Sequence, residues 1–317
     1  MRRIFISALL ACPALAEFSA AQNNPAPSPF DPKPMVLAPD SPPELPMPEK
    51  FWGEPLPAPE QKAFLVEKAL QLAPQPDAAP DDAVHRAKVM QLFLAVADGK
   101  HQETLALLDE GVGVDSTLPL PADPAFAERF RGSHLHYFIT VEPGLTPLML
   151  AAGAGRADMV QLLLDAGASP GARTKRHRTF PLWMAGKGKH TEAMQVLLGV
   201  KPDSEAARLL VEVDLEKQTA TILRDGVPDE SAPVSTGRKN FRTPPGDYVV
   251  TDKHRKWRST LYPADMPYFM RLSCGEIGFH QGNLPGYPAS HGCIRMRRKD
   301  AAEFFKRIPV GTKVVIK

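Results

Sequence analysis

Two stretches of this 317-residue chain repeat one apolar pattern at an interval of 34 positions, and this repeat limits the possible folds more than any other feature. Residues 147–151 read Pro-Leu-Met-Leu-Ala, and residues 181–185 read Pro-Leu-Trp-Met-Ala. Leucine-rich runs follow each of them, at 161–164 and 195–198, and residues 94–111 fit an earlier unit. A period of this length is typical of helix-pair repeats, which need about three units to bury a continuous core.

The middle unit carries further marks of a known repeat. Residues 144–152 read Gly-Leu-Thr-Pro-Leu-Met-Leu-Ala-Ala, and residues 162–168 read Leu-Leu-Leu-Asp-Ala-Gly-Ala. This unit resembles an ankyrin repeat, and the resemblance implies an ankyrin-like α-helical repeat array over residues 61–203. Such arrays often bind a partner on the face that carries their insertions, so a protein partner is one expectation for this segment.

An insertion separates the first two units, at about 116–143. We expect a hairpin finger there, with His134 and His136 as exposed polar positions. A metal pair on a strand is the alternative for these two residues. A basic run at 173–178 lies in the next finger, where a solvated loop is favoured over a nucleic-acid patch in an exported protein.

The start of the chain predicts export. Met1-Arg2-Arg3 precedes an apolar run at 4–15, which is shorter than the ~20 residues needed to span a bilayer. Residues 1–22 are therefore predicted to be a signal peptide, and the protein is expected to be periplasmic or in the cell envelope and not transmembrane. The alternative is a lipoprotein anchored through Cys12, whose flanking residues fit that signal less well.

A proline-rich segment follows the predicted signal. Residues 23–59 contain thirteen of the 34 prolines, mixed with Ala, Ser, Asp and Glu. This composition cannot bury enough apolar surface to offset chain entropy. Residues 23–60 are therefore predicted to be a disordered linker.

The pattern changes to short strands after about residue 203. Runs rich in β-branched and apolar residues occupy 209–214 and 219–224, and a closing run occupies 312–316. Only residues 301–307 have a helical pattern in this region. We therefore expect residues 205–317 to form a mostly-β domain, so that the whole chain is a multidomain α+β protein.

A cysteine near the end of the chain has the neighbours of a thiol nucleophile. Cys293 follows Ser290, His291 and Gly292, and His280 lies thirteen positions upstream. An imidazole can take the thiol proton and later protonate a leaving amine, while amides at a glycine can stabilise an oxyanion. A zinc site made by the two histidines and the cysteine is the alternative, although no fourth ligand is evident.

The sequence Ser-His-Gly-Cys with an upstream histidine resembles the signature of the YkuD-type L,D-transpeptidase catalytic domain. The resemblance implies that Cys293 is the acylated nucleophile and His280 the general base. It also implies that His291 and Gly292 shape the oxyanion pocket, with the amides of Gly292 and Cys293 as donors, and that Ser290 supports the loop. The interval between His280 and Cys293 is at the short end for this family.

The resemblance also implies a substrate and a reaction. A cysteine thioester on a peptidoglycan stem peptide would react with a second stem to form a 3-3 cross-link in cell-wall biogenesis, without a cofactor or metal. Water, a free D-amino acid or a lipoprotein lysine are alternative acceptors. An ankyrin scaffold that only binds peptidoglycan is a different alternative.

The charge of the predicted domain suits such a substrate. Residues 205–317 contain nineteen Lys and Arg against thirteen Asp and Glu, a net charge of +6 that favours anionic ligands such as stem carboxylates. Arg295 stands where some family members carry Asn, and its guanidinium suits a carboxylate. We therefore predict that Arg295 binds substrate.

Cys274 is the second cysteine of this domain. A strand at 276–280 would place it about 20 Å from Cys293 at ~3.3 Å per residue. We therefore expect two free thiols, with Cys274 partly buried.

Overall fold

The structure is a computed structural model that describes residues 83–259 and 263–317. The predicted signal peptide at 1–22, including Cys12, and the predicted linker at 23–60 lie outside the described residues. Residues 61–82, the first part of the predicted repeat array, lie outside them as well. In the described part of the chain, no helix is long and apolar enough to cross a membrane.

Helices fill the region where the repeat pattern occurs. They are α1 (Ala83–Asp98), α2 (His101–Asp109), α3 (Pro124–Glu128), α4 (Leu135–Thr140), α5 (Pro147–Gly153), α6 (Ala157–Asp165), α7 (Pro181–Lys187), α8 (Thr191–Leu197) and α9 (Glu205–Arg208). The starts of α5 and α7 are 34 residues apart, and so are the starts of α6 and α8. The sequence interval is therefore also the spacing of two successive helix pairs.

Local chemistry explains where α5 begins. The Thr146 hydroxyl accepts a hydrogen bond from the Met149 amide at 3.3 Å, and Pro147 occupies the first helical position. A threonine cap satisfies one of the amides left without a partner at a helix start, and proline at this position loses no hydrogen bond. Every residue of α5 is buried, so this helix forms the centre of the helical core.

The insertion at 116–143 is helical, so the predicted hairpin is wrong. It contains α3, which begins where the Asp123 carboxylate accepts from the Phe126 amide at 2.9 Å, and α4. His134 occupies the N-cap position of α4 without a side-chain capping hydrogen bond, and His136 lies in the first turn. Residues two apart on a helix do not face each other, so these histidines do not form the metal pair considered above.

Eight strands form the C-terminal part of the structure. They are β1 (Leu209–Asp214), β2 (Thr219–Arg224), β3 (Val227–Ser235), β4 (Gly246–His254), β5 (Phe269–Leu272), β6 (Gly278–Gln281), β7 (Ile294–Met296) and β8 (Lys313–Ile316), with α10 (Arg298–Arg307) before the last strand. The strand order is β1-β2-β3-β7-β6-β5-β4-β8, and β1 pairs with β8 to close a barrel. Strands predicted at 209–214 and 219–224 are confirmed.

Alternating burial along β1 explains how the barrel is filled. Leu209, Val211 and Val213 are buried, and the residues between them are only partly covered. Because successive side chains of a strand point to opposite faces, this alternation directs one apolar face into the barrel. Phe279 of β6 and Phe304 of α10 complete the same core.

Candidate active site

The central feature of the site is the pairing of β6 with β7. These strands are parallel, and His280 of β6 lies opposite Arg295 of β7. Paired residues of neighbouring strands project from the same face of a sheet, and Cys293 directly precedes β7. The charge of the Arg295 guanidinium acts on both His280 and Cys293, so Arg295 lies within electrostatic range of each of them.

His280 is a buried imidazole with a defined orientation. Its exposed fraction is 7%, and its Nδ1 lies 2.7 Å from the carbonyl oxygen of Gln281. Because a carbonyl only accepts, Nδ1 carries the proton and Nε2 has the free lone pair. Burial, with a smaller contribution from Arg295, lowers the pKa of His280 to about 4. The ring is therefore neutral near pH 7 and can accept a proton.

Cys293 is held mainly as a neutral thiol. Burial raises its pKa above the ordinary value of 9.0, although a backbone contact with Gly278 and the charges of Arg295 and Arg271 act in the opposite direction. Its Sγ lies 3.8 Å from the carbonyl oxygen of Glu276, which accepts a weak S–H hydrogen bond. The resting site therefore holds a neutral thiol just before β7 and a neutral imidazole on the neighbouring strand β6.

Ser290 closes the loop that carries the cysteine. Its buried hydroxyl accepts from the Gly292 amide at 3.0 Å and donates to the Cys293 carbonyl at 2.5 Å. The Ser290 amide donates to the Thr236 carbonyl at 2.9 Å, which ties the loop to the end of β3. The Ser290 side chain therefore helps to fix the position of the Cys293 backbone.

Gly292 has the backbone conformation that its loop requires. Its φ of +114° lies in the region that favours glycine, and an added Cβ would lie 3.4 Å from Ile277. The Gly292 amide, which is predicted to be an oxyanion donor, donates to the Ser290 hydroxyl in this structure. Gly292 therefore shapes the site through its φ angle.

Thr243 is a buried residue that the motif alone did not indicate. Its hydroxyl donates to the Gly292 carbonyl at 2.7 Å and accepts from the Gly237 amide at 2.9 Å. Thr243 is 49 positions from Gly292, and only the barrel brings them together. The spacing of residues around the cysteine holds no signal for this contact.

His291 lies on the exposed rim of the site. Its Nε2 is 2.7 Å from Nη2 of Arg238, and its ring centroid is 4.7 Å from that of Phe241. Arginine only donates, so Nε2 accepts this hydrogen bond. Burial and the charges of Arg238 and Arg295 lower the pKa of His291. With that lone pair used by Arg238, His291 forms part of the site wall rather than a second base.

Arg295 extends along the loop between the two strands. Its Nη1 donates to the Ala289 carbonyl at 3.4 Å, and its aliphatic stem covers Gly282 so closely that a Cβ there would lie 2.9 Å from it. Within residues 83–259 and 263–317, Arg295 forms no ion pair with a carboxylate. Its charge is therefore available to an anionic ligand.

Cys274 and Cys293 are both free, as predicted, but for a different reason. The strand expected at 276–280 begins only at Gly278, and Cys293 lies beside Glu276 rather than beside the far end of that strand. Cys274 instead packs against the core of the helices, and burial raises its pKa to about 12. The two thiols are therefore kept apart because Cys274 packs into the helical core, and not because a strand lies between them.

The low pKa of His280 predicts a loss of stability in acid. The unfolded chain binds this proton near pH 6.5 and the folded chain only near pH 4. Stability from the neutral ring is therefore complete above 6.5 and is lost as the pH falls toward 4, by about 3 kcal/mol. Urea unfolding at pH 7, 5.5 and 4 should show this loss, and His280→Gln should flatten it. The exposed His85→Gln should keep the wild-type slope, and an equal slope in all three proteins would contradict the prediction.

No group of three or more His, Cys, Asp or Glu side chains within residues 83–259 and 263–317 is arranged to hold a metal ion. His280 directs its Nδ1 proton to a backbone carbonyl, and His291 is engaged by Arg238. The two histidines and the cysteine are therefore not assembled as the three zinc ligands considered above.

Comparison with known proteins gives the same assignment as the motif. Residues 208–316 match the L,D-transpeptidase catalytic domain family YkuD, and residues 143–175 match the ankyrin repeat family. YkuD of Bacillus subtilis (strain 168), named as an L,D-transpeptidase, is 26% identical over 129 residues, which are 40% of this chain and 76% of that protein. YkuD of Bacillus licheniformis is 31% identical over 87 residues, which are 26% of this chain and 50% of that protein.

Solved structures of such enzymes are also similar to part of the chain. An X-ray structure of an L,D-transpeptidase from Mycobacterium tuberculosis H37Rv is 27% identical, with a TM-score of 0.33, over 35% of this chain and 57% of that one. The chain thus spans less than three fifths of that structure and half to three quarters of the two relatives. Residues 208–316 form a YkuD-type L,D-transpeptidase catalytic domain, and an ankyrin repeat at 143–175 precedes it.

Proposed function

We propose that this protein is a peptidoglycan L,D-transpeptidase that forms 3-3 cross-links through a thioester on Cys293. The observation that carries the proposal is the parallel β6–β7 pairing, which places His280 opposite Arg295, on the strand next to the one that Cys293 directly precedes. A neutral imidazole beside a neutral thiol is suited to general-base attack on a carbonyl. The match of residues 208–316 to L,D-transpeptidases supports this class of reaction.

The first step is acylation. Nε2 of His280 takes the proton of the Cys293 thiol as the sulfur attacks the carbonyl carbon of the third stem residue. The tetrahedral intermediate then collapses, its bond to the D-Ala nitrogen breaks, and His280 gives its proton to that nitrogen. Free D-Ala leaves, and the donor stem remains attached to Cys293 as a thioester.

The second step transfers the acyl group. An amine of a second stem attacks the thioester carbonyl while His280 removes a proton from that nitrogen. The carbon–sulfur bond breaks, and the proton returns to the Cys293 sulfur. One amide bond is broken and one is formed, so the overall reaction needs no redox partner.

The structure refines the proposed oxyanion pocket. The Gly292 amide is already bonded to Ser290, so we assign the Cys293 amide to the developing oxyanion. Gly292 and Ser290 then act by shaping the turn that aims this amide, and His291 forms the neighbouring wall with Phe241.

Arg295 is the proposed contact for a stem carboxylate. Arg295 is half-buried, and its guanidinium reaches from β7 to the Ala289 carbonyl in the loop between His280 and Cys293. A guanidinium in this position can pair with a carboxylate of the donor stem while the scissile carbonyl lies over the thiol. The net charge of +6 on residues 205–317 supports an anionic substrate.

Several alternatives use the same thioester. Water as acceptor would give a carboxypeptidase, a free D-amino acid would give exchange, and a lipoprotein lysine would give anchoring. We favour a second stem because the side chains of Phe241 and Tyr287 are exposed and could contact a large acceptor. The alternative from another class is an ankyrin scaffold that binds peptidoglycan without turnover.

We also propose that the protein is exported and that its helix pairs form an ankyrin-like array with a protein partner. The 34-residue spacing of α5–α6 and α7–α8 supports the array. The amino-terminal sequence, with its basic start and short apolar run, supports export to the periplasm or cell envelope.

Product analysis tests the proposal. Purified protein is incubated with disaccharide-tetrapeptide muropeptides, and the products are identified by tandem mass spectrometry, with Cys293→Ala as the matched inactive protein. We expect dimers with a bond between two third-position residues, released D-Ala, and a thioester mass on wild-type Cys293 only. A tripeptide donor, which lacks the terminal D-Ala, should give no acyl-enzyme.

Other outcomes choose among the alternatives. Tripeptides without dimers would identify a carboxypeptidase, and incorporation of an added D-amino acid would identify an exchange enzyme. A lysine-containing lipoprotein peptide joined to the stem would identify anchoring. Substrate that binds and stays intact would favour the scaffold and contradict the enzymatic proposal.

A further inference from the structure

The turn between β5 and β6 lies between the helices and the nucleophile. It runs from Leu272 to Gly278, with the Leu272 amide bonded to the Ile277 carbonyl at 3.0 Å and the Gly275 amide bonded to the Leu272 carbonyl at 2.8 Å. Ser273 and Cys274 both have positive φ angles, of 48° and 56°. Two successive residues with positive φ angles reverse the chain direction within a few residues and so form a tight turn.

One side of this turn packs into the helices. The Ser273 carbonyl oxygen lies only 2.5 Å from the place where a Cβ on Gly186 of α7 would stand. Cys274, together with Val249 of β4, packs against the core formed by the helix pairs. Glycine at position 186 therefore permits a backbone approach that no other residue allows without movement.

The other side of the turn touches the site. The Glu276 carbonyl is the 3.8 Å acceptor of the Cys293 thiol. The next residue, Ile277, lies against the face of Gly292, with its Cγ2 at 3.4 Å from the place where a Cβ on that glycine would stand. The residues from Cys274 to Ile277 thus connect the helical core to the sulfur.

Hydrogen bonds leave this turn little freedom. The Ser273 hydroxyl accepts from the Val249 amide at 3.0 Å, and the Cys274 amide donates to the Thr251 hydroxyl at 3.2 Å. Nη1 of Arg271 donates to the Gly275 carbonyl at 3.2 Å. Because the Leu272–Ile277 hydrogen bond also joins the two ends of the turn, a displacement at Ser273 should be passed on to Glu276.

We propose that the helices are a positioning element of the catalytic site: by holding the turn at Ser273 and Cys274, they set where Glu276 and Ile277 lie and thereby the reactivity of Cys293. The carbonyl of Glu276 stabilises the protonated thiol and opposes the thiolate. A change in its position therefore alters the ease with which His280 removes the thiol proton. The inference rests on Cys293 being the nucleophile of the proposed function.

Gly186→Ala gives a direct test. Alanine is a better helix former than glycine, so the change favours α7 itself while its methyl group displaces the Ser273 carbonyl. Gly171→Ala is the matched control, because an added Cβ at that exposed loop position meets only the Ser169 hydroxyl at 4.0 Å. Both full-length variants are compared with wild type by circular dichroism and thermal unfolding.

The readout is the pH dependence of Cys293 alkylation by iodoacetamide, located by peptide mass mapping. For Gly186→Ala we expect the apparent thiol pKa to move by about 0.5 pH unit or more. We also expect kcat to fall by about tenfold with KM unchanged, because the reacting group is displaced and binding is not. Gly171→Ala should match wild type in both measurements.

A folded Gly186→Ala protein with wild-type alkylation and kcat would overturn the inference. If Gly186→Ala fails to fold, Val249→Ala replaces it, because this change shortens a side chain of the same contact. Wild-type alkylation of Val249→Ala would also overturn the inference. Alkylation needs no substrate. Suppose that the wild-type protein leaves all muropeptides intact and that Gly186→Ala still shifts the apparent pKa of Cys293. That result would refute the proposed function and would support the influence of the helices on Cys293.

Discussion

Replacing His280 with glutamine should lower kcat/KM for stem-peptide turnover by about 10²- to 10⁴-fold, the range typical of a lost general base. The thiol has a raised pKa and the imidazole a lowered one, so little thiolate forms at rest and attack depends on proton transfer during the reaction. The variant can react only through the small fraction of thiolate already present. Its residual rate should therefore increase with pH more steeply than the wild-type rate.

Steady-state rates between pH 5 and 10 measure this effect, with His85→Gln as the matched control. His85 is an exposed histidine of α1, so its replacement should leave kcat/KM unchanged. Acyl-enzyme formation followed by intact-protein mass spectrometry separates acylation from transfer, and both steps should be slow because His280 serves both. A His280→Gln protein with wild-type kcat/KM at pH 7 would contradict the role of this ring.

Replacing Ser290 with alanine should reduce both stability and activity. The substitution leaves the Gly292 amide and the Cys293 carbonyl without their shared partner in a buried place. Each of the two unsatisfied groups costs about 1–3 kcal/mol, so the free energy of unfolding should fall by about 2–6 kcal/mol. The turn that orients the Cys293 amide also loses the two hydrogen bonds of the Ser290 hydroxyl. We therefore expect kcat to fall about tenfold or more.

Urea unfolding and turnover assays measure the two effects. Ser290→Thr retains the hydroxyl and should recover most of the activity, although its extra methyl group must fit a buried position. Ser231→Ala is the matched control, because it removes one exposed hydrogen bond to Thr221 and should change stability by less than about 0.5 kcal/mol. Equal losses in Ser290→Ala and Ser231→Ala would show that the loop does not depend on Ser290.

Local sequence patterns predicted those parts of the fold that depend on local chemistry. The strands at 209–214 and 219–224 are runs rich in β-branched and apolar residues, and their pairing needs only a short connection. The helices that begin at 147 and 181 repeat because the residues that start and fill them repeat. In contrast, the hairpin predicted for the insertion is wrong, because Asp123 and Pro124 form a helix start that this prediction does not consider.

The geometry of the site depended on long-range contacts that the motif does not encode. The motif indicated His280 and Cys293 but not the parallel register that aligns their strands. It could not show that Ser290 takes the Gly292 amide, or that Thr243 reaches the same loop from 49 positions away. The direction of Cys274 was also inaccessible, because it is set by helices that precede the barrel by many residues.

Because β6 and β7 are paired, the distance between His280 and Cys293 does not depend on the number of residues that connect the two strands. His280 is fixed by one strand and Cys293 by the start of its neighbour, so the bridge at 282–289 connects them without determining their separation. Under the proposed function, a shorter or longer bridge would leave proton transfer between these two side chains intact and would change the surface that meets the acceptor. Exchanging this bridge with that of a relative is therefore a way to alter the proposed acceptor.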